Sequence, residues 1–174
     1  VMVVKGAPQV ILALSCDAER IQDAVTEAVN GYASRGFRTI GVARALPADG
    51  GGTSWEFLGL VPLFDPPRHD TKKTIEKARQ LGIEVKMITG DQTAIAKETA
   101  RSLGMGTNIH RADALLVPEG AGELSPQAET VATLVETCNG FAEVFPEHKF
   151  KIVQTLQRRG HRVGMTGDGV NDAP

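Results

Sequence analysis

The chain has 174 residues and a formal net charge of −2, which leaves room for one ordinary domain or two small ones and gives no electrostatic case for a nucleic-acid partner. Hydrophobic residues make up 41% but aromatic ones only 5%, so a core has to come mostly from Val, Leu, Ile and Ala. Cys16 and Cys138 share no metal spacing and are expected to be plain buried thiols in a reducing compartment. No apolar run approaches the ~20 residues that span a bilayer, and no secretory signal appears. The chain as it stands is therefore expected to be soluble and cytosolic.

In chain order, Val1-Val4 reads as a strand, and Pro8 suits the first position of a short helix through Leu14. Asp17 is expected to cap a helix Glu19-Ser34, with Ile21, Val25, Ala28, Val29 and Tyr32 on one face and Gly36 behind it. Thr39-Ala43 and Trp55-Leu63 read as strands joined by the glycine-rich run 48–53. Asp65-Pro66-Pro67-Arg68 breaks the pattern, because consecutive prolines continue neither a strand nor a helix interior. Beyond it, helix Thr71-Leu81 is capped by Asp70 and stopped by Gly82. Strand Glu84-Thr89 leads into a helix from Gly90 to Leu103, and residues 119–126 form a surface loop. Helix Gln127-Cys138, strand Phe141-Phe145, helix Pro146-Arg159 and strand Arg162-Thr166 follow. Helix and strand alternating in this way argue for a parallel, doubly wound sheet. Val1 starts inside a strand without a leading methionine, and Pro174 stops where a helix ought to run. The chain is thus expected to be an excerpt of something longer.

The chemistry concentrates at two similar turns. Val85-Lys86-Met87-Ile88-Thr89-Gly90-Asp91 and Val163-Gly164-Met165-Thr166-Gly167-Asp168 are each an apolar strand ending in Thr-Gly-Asp. In a parallel sheet both would lie on the carboxyl edge, where ligands bind. Asp168 and Asp172 bring carboxylates to a glycine-rich turn opening a helix, an arrangement that suits Mg²⁺ and phosphoryl transfer. Thr89 and Gly90 offer a hydroxyl and an approachable N–H for a phosphate; the plainer reading is that Thr89 caps a helix. Lys149, after Pro146-Glu147-His148, sits at the helix end that disfavours cations. It becomes sensible beside a bound phosphoryl group, although in isolation a solvated lysine is the better reading. Lys5-Gly6 and Arg38 are weak nucleotide signals alone. His69, His110, His148 and His161 share no metal spacing and read as surface or core residues.

Met165 to Pro174 is similar to the hinge motif of P-type ATPases, the ion-pumping members of the haloacid dehalogenase superfamily. Lys5-Gly6-Ala7-Pro8, Asp65-Pro66-Pro67-Arg68, Met87-Ile88-Thr89-Gly90-Asp91 and Phe145-Pro146-Glu147-His148-Lys149 match other motifs of that family in its order. The wording of Asp65-Thr71, Gly104-Asn108 and Val144-Lys149 most resembles the plasma-membrane proton-pump branch. The resemblance implies an α/β fold: a Rossmann-like parallel sheet of haloacid dehalogenase type, preceded by part of an α+β nucleotide-binding domain. Residues 1–64 would be the C-terminal part of the nucleotide-binding domain, and 65–174 the C-terminal part of the phosphorylation domain. It further implies that Lys5 and Gly6 line an adenine pocket and Arg38 contacts the nucleotide phosphates. Asp65 and Arg68 would lie near the ribose at the interdomain hinge, with Asp91 beside the nucleotide. Thr89 and Gly90 would hold the transferred phosphoryl group, Lys149 would neutralise it, and Asn171 would bond one of its oxygens. Asp168 would ligate Mg²⁺, with Asp172 supporting the site.

The implied activity is ATP-driven export of a cation, protons foremost, through an aspartyl-phosphate at the cytosolic face of a plasma membrane. The implied partners are ATP with Mg²⁺, together with the N-terminal half of the cytosolic domains and the transmembrane domain of the same protein. The family's phosphorylated Asp-Lys-Thr-Gly-Thr motif does not occur here, so the sheet is expected to lack its nucleophile strand. Glu143 stands where calcium-pump relatives carry arginine. A non-catalytic nucleotide- and Mg²⁺-binding module and a pump for another cation stay open as alternatives. A small-molecule phosphatase of the same superfamily would need an Asp-x-Asp strand end, which is absent.

Overall fold

The computed structural model describes residues 2–47, 52–116 and 125–167, and the chain divides into two compact units, Val1–Pro67 and Arg68–Pro174. Asp168, Asn171 and Asp172 lie outside the described residues.

The first unit runs β1 (Val3–Gly6), α1 (Pro8–Leu14), α2 (Ala18–Ala33), β2 (Arg38–Pro47) and β3 (Thr53–Leu63). Its sheet is antiparallel in the order β1-β2-β3. α1 presses directly on the sheet at Gly41: a β-carbon there would sit 3.1 Å from both the Pro8 Cα and the Ile11 Cβ. Glycine lets the helix sit that close, and an alanine there would push it back by a few tenths of an ångström. Ile11, Leu12, Val29, Ala33 and Ala43 are buried on this side. The expected cap at Asp17 is replaced by a side-chain bond, since its carboxylate accepts from the Arg20 guanidinium at 2.9 Å instead of from a helix N–H.

The second unit runs α3 (Thr71–Gln80), β4 (Met87–Ile88), α4 (Thr93–Ser102), β5 (Ile109–Arg111), a 3₁₀ turn (Ala112–Leu115), α5 (Pro126–Thr137), β6 (Gly140–Ala142) and α6 (Pro146–Arg158). The strands are parallel, in the order β4-β6-β5. Adjacent residues of central β6 serve opposite faces. Phe141 belongs to a core with Leu115, Val135, Cys138, Ile152 and Leu156. Ala142 belongs to another with Ile75, Ala96, Ala100, Leu103, Met105 and Ile109. α5 and α6 therefore cover one face and α3 and α4 the other, the doubly wound arrangement expected from the alternation.

Several expected elements are shorter, each for a local reason. The strand expected over Glu84-Thr89 is Met87–Ile88, because β6 opposite it begins only after α5 ends at Thr137. Lys86 instead turns its ammonium onto the carbonyls of Glu136 (2.6 Å) and Cys138 (2.8 Å), closing the C-terminus of α5. The strand expected over Phe141-Phe145 stops at Ala142, because Glu143 takes φ 58°, a turn out of the extended region. The helix expected from Gly90 starts at Thr93, since residues 89–91 are held as a loop. Asp70 precedes α3 without a side-chain cap; the Thr74 hydroxyl bonds to its carbonyl at 3.0 Å. Arg162-Thr166 forms no strand: none of the described strands pairs with it, and an extended segment becomes a strand only beside a neighbour with free N–H and C=O groups. Val163 nonetheless packs against the Phe141 core.

The cysteines part company. Cys138 is buried as expected, and burial pushes its thiol pKa up, whereas Cys16 is exposed because it follows α1 at the rim of the first unit. An aromatic disulfide reagent added to the native chain is expected to titrate Cys16 quickly and Cys138 only after denaturant. Equal rates for both thiols in buffer would contradict this packing.

Candidate active site

The Thr89-Gly90-Asp91 loop leaves the carboxyl end of β4 and is gripped by the chain that leaves β6. The Thr89 N–H donates to the Phe141 carbonyl at 3.0 Å, continuing the ladder. The Glu143 N–H then reaches the Asp91 carbonyl at 2.9 Å, and the Val144 N–H reaches the Thr89 carbonyl at 3.1 Å. A regular parallel ladder would send the Glu143 N–H to Thr89. The left-handed turn at Glu143 shifts that bond by one residue, as a bulge does. One strand end thereby holds the carbonyls on both sides of Gly90, and Gly90 stays exposed.

Thr89 does not cap α4, whose N-cap is Gln92. Its hydroxyl accepts from the Asp91 N–H at 3.1 Å, bending the loop and leaving its own O–H free to donate. Val144 leads directly through Phe145 into α6. In its first turn, His148 Nδ1 accepts from the Phe145 N–H at 3.1 Å, closing one of the orphan donors of the helix start. Lys149, half-buried, follows in that turn. Motifs far apart in sequence, at Thr89-Gly90-Asp91 and Pro146-Lys149, are thus joined at one end of one sheet.

A cleft of about 500 Å³ opens there, lined by Gly90, Arg111, Asp113, Glu143, Phe145 and His148 among others. Thr89 and Lys149 flank it in sequence without lining it. Glu143, Arg111 and His148 carried no positive functional signal in the sequence. The departure from the calcium-pump pattern at Glu143 marked the position without saying what it does.

In the first unit, Lys5 and Arg38 share a face of the sheet. Arg38, Ile40 and Val42 alternate with Gly41 and Ala43, whose side meets α1, so they point to the opposite side. Lys5 lies opposite Val42 in register, while Val61 and Leu63 lie opposite Ile40 and Arg38, which places all of them on that same side. Val61 and Leu63 are each 46% exposed. This is an open apolar surface edged by cationic side chains. Gly6 ends β1 beside it, opposite Gly41. Asp65 and Arg68 are exposed, Asp65 in the first unit and Arg68 at the start of the second, where its carbonyl accepts from the Thr71 N–H at 3.1 Å.

No group of three or more His, Cys, Asp or Glu is placed to hold a metal among the described residues. The donors expected for Mg²⁺, Asp168 and Asp172, offer only carboxylate oxygens, the hard ligands that this ion takes. Among the described residues, no helix is long and apolar enough to cross a membrane.

A parallel sheet wound on both faces carries a Thr-Gly-Asp loop at its carboxyl edge beside a lysine-bearing helix start, the edge at which such sheets bind ligands. The chain belongs to the haloacid dehalogenase-like hydrolases, whose family model matches residues 17–174. Over 173 residues it is 52% identical to the plasma membrane ATPase of Dunaliella bioculata, an alignment covering 99% of this chain and 15% of that protein. Over 175 residues it is 53% identical to plasma membrane ATPase 2 of Schizosaccharomyces pombe, covering 98% and 17%. The chain thus spans 15–17% of the length of these relatives.

Proposed function

We propose that this chain is a cytosolic part of a P-type ATPase that exports a cation, protons foremost, across a plasma membrane. Residues 1–64 would contribute to its nucleotide-binding domain and 65–174 to its phosphorylation domain. The observation that carries this reading is the joining of the Thr89-Gly90-Asp91 loop to the start of the Lys149 helix. It sets a hydroxyl donor, an exposed glycine and an ammonium-bearing turn at the edge where a doubly wound sheet binds ligands. The likeness to plasma membrane ATPases over nearly the whole chain supports it.

On this reading the open face of the first unit receives ATP. Adenine would rest against the apolar side chains near Lys5 and Gly6, and Arg38 would meet the phosphates. Asp65, Arg68 and Asp91 would border the nucleotide. An aspartate of the longer protein attacks the terminal phosphorus; the bond to the bridging oxygen breaks, ADP leaves, and an acyl phosphate forms. Water later cleaves that acyl phosphate to carboxylate and inorganic phosphate, so one hard step becomes two easier ones. Thr89 donates its O–H and Gly90 its N–H to the oxygens of the transferring group, Lys149 offsets their charge and Asn171 bonds another of them. Mg²⁺, held by Asp168 and Asp172, would supply further charge neutralisation.

The test is Asp168→Asn in the full-length protein. Phosphoenzyme formation from ATP and Mg²⁺ is expected to fall below detection, and wild-type levels would refute the metal role. A second reading is favoured by the absence of Asp-Lys-Thr-Gly-Thr from these residues: by itself the chain binds nucleotide and Mg²⁺ without catalysis. Incubating the isolated chain with radiolabelled ATP is expected to leave no acid-stable label on it, and a labelled chain would overturn that reading.

A further inference from the structure

We infer that Glu143 is the positioning residue of the phosphoryl-binding loop, acting through both its backbone and its carboxylate. The inference rests on the P-type reading of the site. Among the described residues, Glu143 is the non-glycine residue with positive φ, at 58°. A side chain in that region is strained, so something nearby must hold it there. The carboxylate does so by reaching two other elements. Oε1 accepts from the Thr93 hydroxyl at 3.0 Å and lies 3.4 Å from the Thr93 N–H, at the first turn of α4. Oε2 pairs with the Arg111 guanidinium at 3.2 Å, at the end of β5.

The consequence is mechanical. Strand β6 would otherwise run on and bond Thr89 in the regular way. Instead the turn at Glu143 aims its own N–H at Asp91 and the next N–H at Thr89. The loop around Gly90 is therefore fixed on one side by these amides. On the other side it is fixed by α4, which the same carboxylate ties at Thr93. The turn also sets where Phe145 starts α6, and with it the first turn that carries Lys149. A single side chain thus couples the loop that would receive the phosphoryl group to the helix that would neutralise it. Glu143 touches no reacting atom on this account; it determines where Thr89, Gly90 and Lys149 stand. Small displacements of such groups cost rate steeply.

The experiment uses the full-length protein carrying this chain and measures the rate of phosphoenzyme formation against ATP concentration. Glu143→Gly accommodates the backbone turn without strain but removes the ties. It is expected to lower the maximal rate about 10–100-fold, as losing a supporting partner does, while KM for ATP moves far less. Glu143→Gln keeps an oxygen for the Thr93 hydroxyl and is expected to recover most of the rate. Thr93→Val removes that donor without touching Glu143, so it should lower the rate in the same sense and combine non-additively with Glu143→Gly. If the glycine variant does not fold, the rates of the valine and glutamine variants against wild type still decide the matter. A wild-type rate for Glu143→Gly or for Thr93→Val, strict additivity, or a glutamine variant as slow as glycine would overturn the inference. If wild-type protein forms no acid-stable phosphoenzyme, the P-type reading itself fails. Phosphorylation of wild type with indifferent variants defeats the positioning role alone.

Discussion

Replacing Lys149 by alanine is expected to slow phosphoenzyme formation about 10²–10³-fold, the scale on which a preorganised charge-stabilising donor acts, while ATP binding changes much less. The reasoning starts from a local conflict. Lys149 lies in the first turn of α6, where the exposed N–H groups already present partial positive charge and a cation is disfavoured. On the proposed function an anionic phosphoryl group arrives there, beside the loop that leaves β4, and the ammonium offsets its charge. During transfer the charge is spread over the three equatorial oxygens of that group, so an ammonium fitted to that arrangement stabilises the transition state more than bound ATP. Nucleotide binding would rest mainly on the face of the first unit that carries Lys5 and Arg38. Rapid-quench phosphorylation paired with equilibrium nucleotide binding separates the two effects. Equal losses in both, or none in either, would remove Lys149 from the transfer step. Lys149→Arg is expected to restore little, since a planar, longer group does not replace a compact ammonium in a fitted position.

Gly140→Ala is expected to destabilise the second unit by about 4 kcal/mol, at the severe end for a single substitution. Gly140 opens β6 with φ 157°, and a β-carbon there would lie 2.0 Å from the Met87 carbonyl oxygen. Backbone stands in the way, so no side chain can rotate aside, and β4 would have to move away by more than an ångström. That movement would break the pairing of Met87 with Gly140 and of Ile88 with Phe141. It would also release the Thr89 N–H from the Phe141 carbonyl. With typical domain stabilities of ~5–15 kcal/mol, the loss would be visible as a lowered urea midpoint at unchanged slope. A wild-type midpoint would show that β4 and β6 are not paired as described. Because the Thr89 loop hangs from this pairing, the same variant in the full-length protein should lose phosphorylation together with stability, unlike Lys149→Ala.

The alternation of helices and strands was legible from periodicity and punctuation. Pro8, Gly36, Gly82 and Pro146 mark element ends because they change what the backbone can do locally, whatever surrounds them. The candidate loop at Thr89-Gly90 was visible through its echo at Thr166-Gly167, and Lys149 only through the family resemblance, since each alone also fits a plain structural role. Glu143 was not legible as a turn. Nothing in Phe-Ala-Glu-Val tells a left-handed residue from the middle of a strand; that follows from Thr93 and Arg111, which lie far off in sequence. The exposure of Cys16 was missed for a similar reason, since burial depends on what packs nearby and not on the thiol's own preference.

Arg162-Thr166 marks the same boundary from the other side. Its apolar residues carry a strand's composition, yet they form none among the described residues. β propensity expresses fit to a half-buried pleated surface, and a strand exists only once a partner supplies its hydrogen bonds. Residue chemistry and chain punctuation, which act within a few positions, determined the kind of fold and, with the family resemblance, pointed to the reaction proposed. Strand lengths, the clamp on the Gly90 loop and the shared face of Lys5 and Arg38 were decided by tertiary structure. Each of those depends on hydrogen bonds and packing between segments that the chain brings together only when folded.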